Sequence, residues 1–174
     1  MVLRWLLLFG MAFGLDGAPD LEALEGRVKR VVEQANRTTV AILAESIGST
    51  GSGVVVSPEG LILTAAHVVT DLDGTGEAVE EVVVLFEDGE ERRAQVLGMN
   101  WGRDAAMLKL LGEGPWAFSG VGDSAGLRPG DWVVATGHPL GFDPLRAAPV
   151  RFGRVVSKNQ DLFLSSDCVL FGAA

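Results

Sequence analysis

From Thr38 onward the chain is a succession of short runs rich in β-branched residues, each closed off by a turn, and that grain admits few architectures. The runs fall at 38–44, 53–56, 61–65, 82–86, 92–99, 105–111, 132–136, 150–156 and 162–165. Between them lie Ser57-Pro-Glu-Gly60, Asp73-Gly-Thr-Gly76, Glu87-Asp-Gly89 and Arg128-Pro-Gly130. In these turns Pro presets one backbone angle and Gly accepts the left-handed one. Many short strands at this spacing predict an antiparallel barrel or sandwich, not a sheet built from βαβ units. At 174 residues and 48% hydrophobic content the chain can bury a core and is not read as disordered.

The N-terminal part has a different grain. Residues 20–36 place Leu21, Leu24, Val28, Val31, Val32 and Ala35 near one helical face, with Asp20 ready to cap it, so 19–37 is expected to hold one amphipathic helix. Ahead of it, Arg4 and the apolar run 5–15 fit a secretory signal over 1–18, with cleavage at the small residues Ala12 and Gly14 or Gly17 and Ala18. Eleven apolar residues are too few to span a bilayer comfortably. Export is therefore expected, to a secreted or periplasmic location. A membrane anchor is the weaker reading.

Composition removes several functions. A net charge of −9 repels a phosphate backbone, which argues against nucleic acid as a partner. One Cys and two His cannot assemble a four-ligand His/Cys zinc site, so no metal and no cofactor are expected. Cys168 is read as a small apolar filler, because a thiol nucleophile needs a base and an orienting partner beside it.

The residues that carry chemistry lie in two segments. Residues 51–69 read as strand, turn, strand and then a corner, Thr64-Ala-Ala66, whose small side chains leave room beside His67 for a second group. Thirty-seven residues on, Asp104 stands immediately before an apolar strand, where it is expected to be shielded from water. A buried carboxylate needs a partner. An imidazole N–H is one that it can orient while stabilising the imidazolium formed in acyl transfer.

With these two segments, a third, Gly122-Asp-Ser-Ala-Gly-Leu-Arg-Pro-Gly-Asp-Trp-Val-Val-Ala-Thr-Gly-His-Pro-Leu-Gly141, follows in order, and over residues 38–174 the chain resembles the HtrA (Deg) proteases. The order His then Asp is that of trypsin-like enzymes, in which Ser comes last. The resemblance implies an all-β, trypsin-like double barrel: a first barrel over 38–114, a linker holding 112–120, and a second, incomplete barrel over 121–174. It implies a serine endopeptidase with His67 as general base and Asp104 as its orienting partner. It also implies unfolded or misfolded polypeptides as substrates, and assembly as a homo-oligomer.

The match departs from the family at its end. There the family has Thr-Asp-Ala-Ala-Ile-Asn-Pro-Gly-Asn-Ser-Gly-Gly-Pro, and Ser166-Asp-Cys-Val-Leu-Phe-Gly-Ala-Ala174 occupies its beginning. The nucleophile is then expected just after Ala174, with Ala173 in the oxyanion-hole region, so this stretch of chain by itself is expected to be inactive. A non-catalytic peptide-binding module and an inert truncated product are the rival readings. Gly122-Asp-Ser124-Ala-Gly126 imitates a nucleophile elbow, but Leu127-Arg-Pro-Gly130 blocks the helix that an elbow requires. Ser124 is therefore read as a turn residue, and His138 is given no catalytic role.

Overall fold

The computed structural model describes residues 20–71, 76–139, 141–143, 148–158 and 164–168. The signal expected over 1–18 and most of the turn at 73–76 lie outside them. Helix α1 (Leu21–Thr38) begins where Asp20 accepts a hydrogen bond from the Ala23 N–H at 3.0 Å, the N-cap that the sequence predicted. It ends at Thr38, one residue beyond the expected 19–37. Its last turn is closed by the Thr38 hydroxyl, which donates to the Ala35 carbonyl. Among the described residues no helix is long and apolar enough to cross a membrane.

Six strands follow: β1 (Thr39–Ala44), β2 (Ser49–Val55), β3 (Leu61–Thr64), β4 (Glu81–Leu85), β5 (Glu91–Asn100) and β6 (Ala105–Leu110). They close into an antiparallel barrel in the order β1-β2-β3-β6-β5-β4. Closure leaves this barrel without a free edge. Then β7 (Trp132–Thr136), β8 (Val150–Lys158) and β9 (Leu164–Ser166) form a second, open antiparallel sheet. The fold is thus mostly strand, with one closed barrel, a second sheet and one N-terminal helix, as the strand pattern predicted. Helix α1 packs on β1 and β7 and so bridges the two sheets.

The barrel interior follows the period of two that strands impose. Val40, Ile42 and Ala44 of β1, Val82 and Val84 of β4, and Ala106, Leu108 and Leu110 of β6 all point inward and are buried. Strand β2 starts at Ser49, four residues before the run at 53–56 that announced it, because Gly51 interrupts the β-branched pattern there; Gly53 also lies in the strand. A Cβ on Gly51 would lie 2.4 Å from a Val68 methyl, and one on Gly53 would lie 2.7 Å from an Ile62 methyl. Low strand propensity is accepted at these positions because the core leaves no room for a side chain. Leu108 is fully buried between β3 and β5, so Leu108→Ala should destabilise the barrel by about 3 kcal/mol. Urea unfolding checks this. A loss under about 0.5 kcal/mol would mean that the site is not close-packed.

Candidate active site

Strand β3 ends at Thr64, and a single 3-10 turn, Ala66–Val68, follows. Ala66 and Val68 are buried on either side of His67, so the turn throws the imidazole outward. Behind it the buried Thr70 hydroxyl donates to the Ala66 carbonyl at 2.7 Å and ties the turn to the core.

Asp104 arrives at the same end of the β3–β6 pair, where Thr64 faces Ala106 in the antiparallel ladder. It closes the loop between β5 and β6, where a 3-10 turn, Trp101–Arg103, precedes it. Its backbone is left-handed, φ 47° and ψ 51°, the single positive φ outside glycine among the described residues. Asp tolerates this region better than most residues, and the strain is on the order of 1 kcal/mol.

The two residues meet at two points. Asp104 Oδ2 accepts from the His67 ring Nδ1 at 2.8 Å, and Oδ1 accepts from the His67 backbone N–H at 3.0 Å. Partial removal from water pushes the Asp104 carboxyl up. The His67 backbone N–H, the His67 ring and the Ala66 N–H together outweigh that and hold it below 3.8. The carboxylate therefore stays ionised through the neutral range and keeps the ring proton on Nδ1, which leaves Nε2 as the basic nitrogen. Among the described residues Nε2 has no hydrogen-bond partner, and it is free to take a proton.

One expectation needs correction. Asp104 is not shielded from water: its side chain is 48% exposed and that of His67 is 55% exposed. The apolar strand that follows Asp104 sends Ala106 and Leu108 into the core, but Asp104 itself sits in the connecting loop, on the barrel rim. The pair is oriented by hydrogen bonds at the surface and not by burial.

Ser124 lies in a short turn, Ser124–Gly126, which Asp123 caps by accepting from the Ala125 N–H at 2.8 Å. Cys168 is half-buried, with its sulfur 3.8 Å from the Val133 carbonyl oxygen. His138 is buried and joins the sheets through its backbone N–H, which donates to the Ser52 hydroxyl at 2.7 Å. Ala173 and Ala174 lie outside the described residues. Among the described residues no three His, Cys, Asp or Glu side chains converge as a metal site requires. The sequence reading passed over Thr70 and Asn100, which tie down the two turns of the site. Asn at a strand end, four residues before a candidate Asp, was the available signal for a cap.

The structure holds a closed six-stranded barrel with an oriented His–Asp pair on its rim, and residues 51–173 match the trypsin-like peptidase domain. The chain belongs to that family. It is 36% identical over 151 residues to "Probable periplasmic serine endoprotease DegP-like" of Ectopseudomonas mendocina, which covers 84% of this chain and 29% of the relative. It is 30% identical over 157 residues to the protein of the same name from Rickettsia conorii, covering 87% of this chain and 28% of that one. These similarities make it an HtrA-type member of the family. The chain spans less than a third of the length of either relative.

Proposed function

We propose that the protein is a periplasmic serine endopeptidase that cuts unfolded polypeptides, with His67 as its general base and Asp104 as the group that orients it. The observation that carries this reading is the two-point grip of Asp104 on His67, at 2.8 Å and 3.0 Å, which fixes both the tautomer and the direction of the ring. The nucleophilic serine is expected just after Ala174, beyond the second of two barrel subdomains, 38–114 and 121–174, with Ala173 in the oxyanion-hole region.

The chemistry then runs in two halves. Nε2 of His67 removes the serine hydroxyl proton as the oxygen attacks the peptide carbonyl, and the carbonyl oxygen takes up negative charge. The imidazolium gives that proton to the departing amine, so the C–N bond breaks and an ester to serine remains. Water, activated by the same nitrogen, hydrolyses the ester, and the serine recovers its proton. Asp104 stays ionised throughout and stabilises the imidazolium twice in each cycle.

Periplasmic location is supported by the names of the DegP-like relatives and by the apolar run at 5–15. The test is incubation of the full-length gene product with a reduced, unfolded protein and with the folded form of that protein. Fragments from the unfolded form alone, suppressed by a fluorophosphonate and indifferent to a chelator, are expected. An uncut unfolded substrate, or cleavage that a chelator stops, would overturn the proposal.

A further inference from the structure

The Asp104 carboxylate takes no hydrogen bond from its own loop. Its hydrogen-bond partners are the backbone N–H and the ring of His67, on the turn after β3. Its direction therefore depends on how firmly the β5–β6 loop holds the Asp104 backbone in the left-handed region. Packing contributes little, because Trp101, Gly102, Arg103 and Asp104 are all exposed.

Hydrogen bonds hold that loop. Asn100 and Ala105 face each other on the last rung of the β5–β6 ladder, and residues 101–104 cross between them. The Asn100 side-chain oxygen reaches over the turn and accepts from the Arg103 N–H at 3.1 Å. The next N–H, that of Asp104, donates to the Trp101 carbonyl at 3.1 Å. Without the Asn100 cap, the peptide that leads into Asp104 is anchored by that second bond alone. A small rotation there swings a short carboxylate through a large angle.

We propose that Asn100 is a positioning residue for the His67–Asp104 pair: by capping the turn that ends at Asp104, its carboxamide aims the carboxylate at the imidazole. This rests on the reading of that pair as the base system of the enzyme. A cap of this kind is replaceable by Ser and not by Ala, since only the former keeps a side-chain acceptor.

The experiment reads the ring and not turnover. The full-length gene product, labelled with ¹⁵N in histidine, is examined by NMR at alkaline pH, where the nitrogen shifts of neutral His67 report which nitrogen carries the proton. In the wild type the proton sits on Nδ1. Asn100→Ala should raise the minor Nε2–H form by about five-fold, the factor that a lost side-chain cap typically carries, and Asn100→Ser should restore the wild-type ratio. Asp104→Ala, the control, should convert the ring mainly to Nε2–H. An Asn100→Ala protein with a lower unfolding midpoint but a wild-type tautomer would show that Asn100 supports only the hairpin, and would overturn the proposal. If Asp104→Ala itself leaves the tautomer unchanged, the failure lies in the pair, and this inference falls with it.

Discussion

In the full-length gene product, replacing His67 by alanine is expected to lower kcat on an unfolded protein substrate by on the order of 10⁶-fold, because a hydroxyl is a poor nucleophile until a base takes its proton. The barrel itself should be indifferent to the change. His67 projects from a turn whose buried anchors are Ala66, Val68 and Thr70, and its ring is more than half exposed. The variant is therefore expected to fold with a wild-type unfolding midpoint, which separates lost chemistry from lost structure. Activity within ten-fold of wild type would remove His67 from the mechanism.

Asp104→Asn is expected to lower kcat by on the order of 10⁴-fold, and the two-point geometry explains why so conservative a change does so much. Both contacts need an acceptor from residue 104: the His67 backbone N–H is an obligate donor, and Nδ1 must keep its proton. Asn has one acceptor oxygen. If that oxygen serves the backbone N–H, its NH₂ faces Nδ1, and the imidazole proton is driven to Nε2, the nitrogen that has to act as base. Steady-state kinetics checks this, and retention of full activity would show that Asp104 does not orient the ring. The wild-type pair should also withstand mild acid. Since the folded-state pKa of Asp104 is depressed below 3.8, the unfolded chain binds that proton first. The contribution of the pair to stability is complete above the ordinary carboxylate range and is lost as pH falls through the depressed value.

What could be read in the sequence follows from which forces act locally. The helix was visible because Asp20 caps it and its apolar residues recur with a helical period. The strands were visible because the barrel buries alternate β-branched residues, as in Val82 and Val84. The start of β2 was hidden, since Gly51 is chosen by what packs against it, Val68 on the turn after β3, and not by its neighbours in the chain. His67 and Asp104 stood out through the small residues around one and the strand after the other, and the structure brings them to 2.8 Å. Their exposure went against expectation, because a rim position depends on where a loop emerges from the closed barrel. The Asn100 and Thr70 caps were missed for a related reason: single hydrogen bonds to backbone groups leave no periodic trace.

The most direct test of a His67-activated serine is covalent capture. The full-length gene product and its His67→Ala variant are each treated with a fluorophosphonate probe, and the labelled residue is located by mass spectrometry. The account predicts one labelled serine in the wild type, located just beyond Ala174, and no label in the variant. A wild-type protein that takes no label, a label on Ser124, or equal labelling of the variant would contradict it.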